Sequence, residues 1–273
     1  MPDIGFGTYQ CGDGAAAAAQ VEAVVRCGYR LLDTAASYEN EEAVGEGIRR
    51  AGLPREQLFL TSKLRPEQMS RAGVQAGFAE SCRKLGVEYL DLYLIHWPRV
   101  PAIDPDWERA NAETWRAMEE LHRQGLARAI GVCNFLPHHL AALDKTARIQ
   151  PMVNQLEFHP GWRQPEALAC CRGRGILVEA WSPMGRSRMA QHPLLNGLAR
   201  KYGCDVGQLC IRYAQQSGTV PLPRTSRPER LAGNLHTDFF TIAPEDMAAL
   251  DSLPETGWSG QHPDRQKTPG RFA

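Results

Sequence analysis

Four polar side chains among the first 96 residues have the types needed to protonate an oxygen that gains negative charge. Asp33, Lys63 and His96 each end a short apolar run, and Tyr38 follows Asp33 in the segment TAASYENEE. A tyrosine alone is a weak acid with a pKa of about 10, but a neighbouring ammonium group stabilises the phenolate and lowers that pKa. A carboxylate keeps the lysine charged, and a histidine orients a carbonyl or shares its proton. The set therefore suits the protonation step that accompanies hydride transfer to a carbonyl.

Each of these residues has an ordinary structural explanation when it is considered alone. A charged residue at a strand end is usually a solvated rim residue, a histidine after an apolar strand is more often structural, and a tyrosine in a loop indicates almost nothing. Their joint spacing across consecutive strands is what favours a shared site. Nothing in the set resembles a nucleophile–base pair.

Eight short apolar runs alternate with helical patterns, and these elements must position the polar groups. The runs are continuous rather than alternating, as in parallel strands that are buried on both faces. They are IGFG (4–7), RLLD (30–33), LFLTSK (58–63), LDLYLIH (90–96), ARAIGV (127–132), PMVNQ (151–155), ILVEAW (176–181) and GTVPLP (218–223). This order predicts an α/β fold of the (β/α)8 TIM-barrel type. The carboxyl ends of its strands lie about 4.8 Å apart at one mouth, so three consecutive strands aim Asp33, Lys63 and His96 at one spot.

The intervening segments carry the apolar spacing of amphipathic helices. Asn40 is expected to cap the second helix, and Gly86 is expected to end the third. The apolar faces comprise Val21, Val24 and Val25; Val74, Phe78 and Leu85; and Trp115, Met118 and Leu121. No linker rich in proline, glycine or serine divides the chain, which predicts a single domain over residues 1–273. The alternative, a doubly wound open sheet, usually carries G-x-G-x-x-G, but Gln10 stands where its third glycine should be.

The composition excludes several classes of protein. The chain has 31 basic and 31 acidic residues, with 43% hydrophobic and 23% charged residues, so it has no electrostatic signature of a nucleic-acid or membrane-surface partner. No run approaches the roughly 18 apolar residues of a membrane span, and MPDIGFGTYQ lacks the pattern of a signal peptide. The eight cysteines form no CxxC pair, which favours reduced thiols and a cytoplasmic location.

The motifs closely resemble those of the aldo-keto reductase superfamily over residues 5–235. The segments LLDTAASYENEEAVGEGI, TSK, LYLIHWP, GVCNF, MVNQLEFHP, AWSPMG and PLPRTSRPERLAGN occur in that family's order. The resemblance implies a (β/α)8 barrel and an NADPH-dependent reductase that converts aldehydes and ketones to alcohols. It also implies that Asp33, Tyr38, Lys63 and His96 form the catalytic tetrad. Tyr38 would be the general acid, Lys63 would lower its pKa, and His96 would position the carbonyl.

The resemblance also implies a set of contacts with NADPH. Asn134 and Gln155 match the pair that binds the nicotinamide carboxamide, and Trp181 matches the aromatic residue that stacks on the nicotinamide ring. Arg224, Thr225 and Arg230 match a clamp on the adenosine 2′-phosphate, where guanidinium groups suit a phosphate dianion. Without the resemblance, PRTSRPER would read as a solvated loop before a helix. The other implied contacts are Thr8 and Asp33, Cys133 beside the carboxamide pair, Ser182 and Met184 in the pyrophosphate loop, and Asn234 at the adenine.

The chain departs from the family pattern at several positions. Cys133 replaces the usual serine, Arg224 replaces the usual lysine, and Gly233 replaces a common glutamate. The N-terminal hairpin that often plugs the bottom of the barrel is short or absent. The bottom is remote from the chemistry, so this last departure is expected to affect stability at most.

Tyr9, Tyr38, His96 and Trp97 match the walls of the family's substrate pocket, and the motif style resembles the bacterial branch that reduces diketogluconate and methylglyoxal. Arg65 is unusual, because many members carry an aromatic residue two positions after the catalytic lysine. One hypothesis is that Arg65 favours anionic or polyhydroxylated carbonyls; the other is a rim arginine that points to water. A small carbonyl compound is the only expected partner, and a monomer is expected from the family.

Metal and rival functions have less support. His138 and His139 are adjacent and are expected to point to different sides of a helix, which would make them poor co-ligands, and His159 is expected to anchor a loop. We therefore predict no metal. Some members of the superfamily are cofactor-binding regulatory or structural proteins without significant turnover, but a broken tetrad would favour that alternative and this tetrad is complete. A barrel lyase or isomerase would explain Lys63 but not the PRTSRPER segment.

Overall fold

Each of the eight apolar runs overlaps one strand, although β3, β5 and β6 end one or two residues beyond the predicted runs, and the strands pair in chain order. The computed structural model describes residues 1–265 and contains one parallel sheet with the order β1 to β8. The strands are β1 Phe6–Gly7, β2 Leu31–Asp33, β3 Phe59–Leu64, β4 Leu90–Ile95, β5 Ala127–Cys133, β6 Val153–Glu157, β7 Leu177–Trp181 and β8 Thr219–Leu222. The predicted (β/α)8 architecture is confirmed, and the predicted open-sheet alternative is excluded.

Backbone hydrogen bonds between the first and last strands close the barrel. Gly5 N donates to Pro221 O at 3.0 Å, and Gly7 N donates to Pro223 O at 3.1 Å. The two prolines have no N–H, but their carbonyls still accept. In the described part of the chain no strand precedes β1.

Helices surround the barrel and bury the apolar faces that the sequence predicted. The helices are α1 Gly14–Cys27, α2 Glu41–Ala51, α3 Arg71–Leu85, α4 Trp107–Arg123, α5 Pro137–Asp144, α6 Pro165–Gly173, α7 Pro193–Tyr202, α8 Val206–Gln216, α9 Leu231–Leu235 and α10 Pro244–Asp251. Val24, Val74 and Trp115 are fully buried in these faces. Gly86 ends α3 with a φ of 68°, a left-handed conformation in which glycine has no steric penalty.

The side chain of Asn40 does not cap α2, contrary to expectation. Helix α2 begins at Glu41 as predicted, but Asn40 makes no side-chain cap hydrogen bond. Its amide instead donates to Thr8 O at 2.8 Å and accepts from Thr34 Oγ1 at 3.0 Å. Asn40 is buried beneath the loop, where these partners satisfy its amide better than an exposed helix end would. It therefore fastens the loop that carries Tyr38 to the end of β1.

Two further expectations from the sequence concern membrane-spanning helices and the state of the cysteines. None of the helices among residues 1–265 is both long and apolar enough to cross a membrane. The eight cysteines are free, in agreement with the prediction of reduced thiols. Residues 266–273 of the predicted single domain, 1–273, lie outside the described residues.

Candidate active site

The four polar residues of the predicted tetrad meet at the carboxyl-terminal mouth of the barrel. Asp33 is the last residue of β2, Lys63 is the last but one of β3, and His96 directly follows β4. Tyr38 ends a 3₁₀ turn, Ala36–Tyr38, in the loop between β2 and α2. Because β2, β3 and β4 are consecutive neighbours in the sheet, the three strand ends bring their side chains to one place.

Lys63 is the centre of this cluster. Its Nζ lies 2.7 Å from both carboxylate oxygens of Asp33, 2.9 Å from Thr34 O and 3.2 Å from the Tyr38 hydroxyl. The ammonium group has three N–H donors, and the Lys63 side chain is fully buried. The lysine is thus held by one charge and two oxygen dipoles, with the phenol as one of its contacts.

Lys63 lowers the pKa of Tyr38 as predicted, but the net shift of that pKa is upward. Burial of the phenol disfavours the phenolate and outweighs the lowering effect of the Lys63 charge. Burial alone would lower the pKa of Lys63, but Asp33 raises it above its ordinary value. Lys63 therefore has the predicted effect on Tyr38, but the phenol stays protonated at neutral pH and is available as an acid.

His96 is a neutral imidazole over the ordinary pH range. Burial and, to a smaller extent, the Lys63 charge hold the pKa of His96 well below its usual value. The centroids of the His96 and Tyr38 rings lie 5.7 Å apart at an interplanar angle of 77°. A neutral histidine in this position can contact a carbonyl oxygen beside the phenol without adding a second charge to Lys63.

A cleft opens from this cluster across the mouth of the barrel. Its volume is about 1040 Å³, including the part that is open to solvent. It collects most of the residues that the sequence singled out. Those that line it are Tyr9, Asp33, Tyr38, His96, Trp97, Cys133, Asn134, Gln155, Trp181, Ser182, Met184 and Arg224.

The predicted nicotinamide-binding side chains are already connected to one another. Trp181 Nε1 donates to Asn134 Oδ1 at 2.9 Å, and Asn134 Nδ2 donates to His96 O at 3.2 Å. Gln155 Nε2 donates to Asp33 Oδ1 at 2.8 Å, while the one partner of Gln155 Oε1 among residues 1–265 is the Cys133 thiol at 3.9 Å. That amide oxygen is therefore available to accept from a ligand.

Cys133 is buried beside this amide pair as a neutral thiol. Its Sγ lies 3.2 Å from Asn134 Nδ2, and burial raises the pKa of the thiol. The thiol is consequently a packing group that contacts both predicted carboxamide ligands. It substitutes for the smaller serine without introducing a charge.

Sequence analysis missed Glu179, which lies on β7 inside the barrel. The Glu179 carboxylate accepts from Gln155 Nε2 at 2.7 Å, and the residue is fully buried. Burial, together with the nearby charge of Asp33, raises the pKa of Glu179 to about 7. The only available signal was a glutamate within the otherwise apolar run ILVEAW, since an inward-facing acid on a barrel strand requires a partner.

The predicted phosphate clamp does not converge on one cavity. Arg224 lines the main cleft, and its Nη2 donates to Gln10 O at 2.6 Å. Thr225 lines a second, separate cavity against α1. Arg230 is exposed at the start of α9, whereas Asn234 is buried on the same helix.

The cleft nevertheless has features that fit a nicotinamide dinucleotide phosphate. The Nε of Arg224, which lines the cleft, is a buried donor without a hydrogen-bond partner among the described residues, and so is the Oγ1 of Thr8, which lies next to the cleft residues Gly7 and Tyr9 in sequence but does not itself line the cleft; such groups are uncommon in a folded protein. A hydroxyl-rich, anionic ligand would satisfy such groups. Gln155 and Asn134 present amides at the other end, beside the plane of Trp181.

Arg65 does not line the cleft. Its Nη2 donates to Ala36 O at 2.6 Å and lies 3.4 Å from Glu39 Oε1. These partners flank Tyr38 in sequence. This geometry does not support the hypothesis that Arg65 selects anionic substrates. The Arg65 side chain instead stabilises the loop that carries Tyr38.

The C-terminal segment contributes a wall that sequence analysis also missed. Gln261 lines the cleft, and the nearby Ser259 donates from its N and Oγ to the carboxylate of Glu157 at 3.0 and 2.7 Å. The buried Glu157, at the end of β6, thereby anchors the segment that carries Gln261. The predicted loop anchor His159 is buried nearby, with its Nδ1 2.8 Å from Pro160 O.

The expectation that His138 and His139 point to different sides of α5 is wrong. Their ring centroids lie 3.9 Å apart, and both Nε2 atoms lie about 3 Å from Asp264 Oδ1, at 3.0 and 2.9 Å. The reason is that His139 Nδ1 accepts from Leu136 N at 3.0 Å, which folds its ring back over the first turn. That hydrogen bond assigns the proton of neutral His139 to Nε2, so this atom has no lone pair for a metal. The absence of a metal therefore remains our prediction.

Comparison with known proteins agrees with this geometry. Residues 3–255 match the model of the Aldo/keto reductase family. The glyoxal reductase of Bacillus subtilis is 41% identical over 97% of this chain and 93% of its own length. The crystal structure of the aldo-keto reductase MGS-M4, from a deep-sea metagenome library of the Medee basin, superposes with a TM-score of 0.91 at 33% identity, covering 97% of this chain and 96% of that one. The Bombyx mori aldo-keto reductase in complex with NADP has a TM-score of 0.83 at 33% identity, covering 93% and 94%. The chain therefore belongs to the aldo/keto reductase family of enzymes.

Proposed function

We propose that this enzyme reduces small aldehydes and ketones, with glyoxal-like dicarbonyls among them, and that NADPH is its reductant. The observation that carries the proposal is the contact of 3.2 Å between Lys63 Nζ and the hydroxyl of Tyr38, which lines a cleft with aromatic walls. The similarity to a glyoxal reductase and to an NADP-bound aldo-keto reductase supports the choice of substrate and cofactor.

Tyr38 and His96 are proposed to hold the carbonyl oxygen between them. When bound, the reduced nicotinamide supplies a hydride. The Tyr38 hydroxyl gives its proton to the oxygen as that oxygen gains charge, and the ammonium of Lys63 stabilises the phenolate that remains. His96 is neutral, so it can contact the same oxygen without giving up a proton. A protonated histidine would be a stronger acid than Tyr38 and would compete with it.

The other side chains are proposed to orient the cofactor. The amides of Asn134 and Gln155 suit the nicotinamide carboxamide, and the ring of Trp181 is fixed by its hydrogen bond to Asn134. The guanidinium of Arg224 suits a phosphate. Thr8, Cys133, Ser182, Met184, Thr225, Arg230 and Asn234 complete the proposed set of cofactor contacts, and Tyr9 and Trp97 complete the substrate walls.

The test compares wild type with Tyr38→Phe by following the absorbance of NADPH with methylglyoxal, a nitrobenzaldehyde and a diketo-sugar acid. Removing a general acid is expected to lower kcat by about 10²- to 10⁴-fold while NADPH binding is retained. Wild-type turnover that survives in Tyr38→Phe would contradict the role of Tyr38. Cofactor binding without wild-type turnover on any substrate would contradict the proposed reaction.

We also propose that the chain acts as a single-domain monomer in the cytoplasm. The eight free thiols suit a reducing compartment. Sedimentation of the purified protein tests the monomer, since a dimer would double the mass.

A further inference from the structure

One arginine in the cleft has no acceptor. Arg186, in the loop after β7, lines the cleft, and its Nε is buried without a hydrogen-bond partner. Within residues 1–265 its side chain forms no hydrogen bond or ion pair. By contrast, the guanidinium groups of Arg65 and Arg224 each donate to a backbone carbonyl. Arg186 therefore differs from Arg65 and Arg224, two of the arginines that the sequence had associated with ligands.

The contacts of Arg186 are two aromatic rings. Its guanidinium carbon lies 5.3 Å from the centroid of Tyr9 and 5.7 Å from that of Trp181. Such cation–π contacts are weakly stabilising, but they satisfy none of the five N–H donors of a group that stays charged. A half-buried cation with unused donors is suited to an oxyanion, for which charge-assisted hydrogen bonds are strong.

The backbone holds Arg186 in this position. Arg186 and Ser187 have φ values of 51° and 66°, in the left-handed region that favours glycine. Ser187 N donates to Met184 O at 3.0 Å, so the loop is a hydrogen-bonded turn. Strain of this kind is concentrated at ligand sites, and here it accompanies a side chain that faces the cleft.

We propose that Arg186 is an anion-binding residue, whose guanidinium takes an oxyanion of a ligand that lies between Tyr9 and Trp181. The proposal rests on the proposed function. The oxyanion has two possible sources, a phosphate of the dinucleotide or a carboxylate of the carbonyl substrate. Tyr9 lies against Tyr38, with ring centroids 5.0 Å apart, so one aromatic residue contacts both Arg186 and the proposed acid.

The test uses Arg186→Gln and Arg186→Lys, with Arg188→Gln as the matched control. Arg188 is exposed in the same loop and does not line the cleft, so its substitution removes the same charge without removing the cleft donor. NADPH affinity is measured by quenching of tryptophan fluorescence. At saturating NADPH, kcat/KM is then compared for a carboxybenzaldehyde and a nitrobenzaldehyde.

Arg186→Gln is expected to weaken one of the two readouts by about 10- to 100-fold, the range of a lost hydrogen bond to a charged group. A higher Kd for NADPH, with an unchanged ratio of the two kcat/KM values, assigns a cofactor phosphate. An unchanged Kd for NADPH, with a decrease in kcat/KM for the carboxybenzaldehyde alone, shows that the oxyanion is the substrate carboxylate. Arg186→Lys should cause a smaller decrease than Arg186→Gln, because lysine keeps the positive charge but lacks the planar guanidinium.

Equal effects of Arg186→Gln and Arg188→Gln, or no effect of either, would overturn the proposal. The affinity measurement does not require turnover, so a wild type that binds NADPH but reduces neither aldehyde would overturn the proposed reaction while the binding arm still tests Arg186. A wild type that does not bind NADPH would overturn both.

Discussion

Lys63 Nζ lies 2.7 Å from each carboxylate oxygen of Asp33, and both side chains are almost completely buried inside the barrel. The Lys63 ammonium remains a positive charge beside the Tyr38 hydroxyl, and the Asp33 carboxylate balances that charge, so the pair adds no net charge to the core. The carboxylate also orients Gln155, whose amide bridges Asp33 and Glu179. The acid–base chemistry and the stability of the barrel thus depend on the same few contacts.

Lys63→Met should abolish most turnover and also destabilise the fold. The buried Asp33 would lose its counter-charge, and breaking a buried ion pair in this way costs about 3–5 kcal/mol. Urea denaturation measures this change in the free energy of unfolding. The double variant Asp33→Asn, Lys63→Met removes both charges and should recover part of the stability but none of the activity. Additive losses in the double variant would contradict a direct pair.

Glu179→Gln should alter the pH dependence of stability. The pKa of Glu179 in the fold is about 7, above its ordinary value of 4.5, so the native state binds a proton that the unfolded state has released. The Glu179 contribution therefore falls as pH rises from about 4.5 to about 7. Unfolding free energies of wild type and Glu179→Gln should diverge across this window, by about 3 kcal/mol at most, with the variant the more stable at neutral pH. Parallel pH profiles would contradict the raised pKa.

His96 should not titrate near its ordinary pKa of 6.5. Its pKa is depressed, so the unfolded state binds the proton first as pH falls, and the His96 contribution to stability is lost from about pH 6.5 downward. The pH profile of kcat/KM should accordingly contain no His96 ionisation near that value. An ionisation near pH 6.5 that is present in wild type and absent in His96→Gln would contradict the depressed pKa.

Arg65→Gln should reduce kcat without regard to substrate charge. The substitution removes the hydrogen bond to Ala36 O at 2.6 Å, which is worth about 0.5–1.5 kcal/mol in a typical case, and loosens the turn that carries Tyr38. A several-fold decrease for both a carboxylated and a neutral aldehyde is expected. Glu39→Gln is the control, since Glu39 is 76% exposed and its ion pair contributes little. A decrease in kcat for the carboxylated aldehyde alone would instead support the hypothesis that Arg65 favours anionic substrates.

The sequence alone determined the barrel and the location of its chemistry. Strand periodicity and chain order are local properties, and the carboxyl ends of consecutive parallel strands meet at one mouth. The sequence alone therefore predicts that Asp33, Lys63 and His96 lie close together. The loop residue Tyr38 required the family resemblance as well, because periodicity does not fix the path of a loop.

Only the tertiary structure decided which groups each of these side chains meets. Glu179 and Gln261 are distant in sequence from the tetrad, Arg65 turns toward Ala36, and Arg186 turns into the cleft. The proximity of Lys63 to Tyr38 was predictable, but the net direction of the Tyr38 pKa was not. Desolvation depends on everything packed around the hydroxyl, and a side chain's direction depends on its rotamer and on the loop that carries it. Neither quantity is encoded in residue type and spacing.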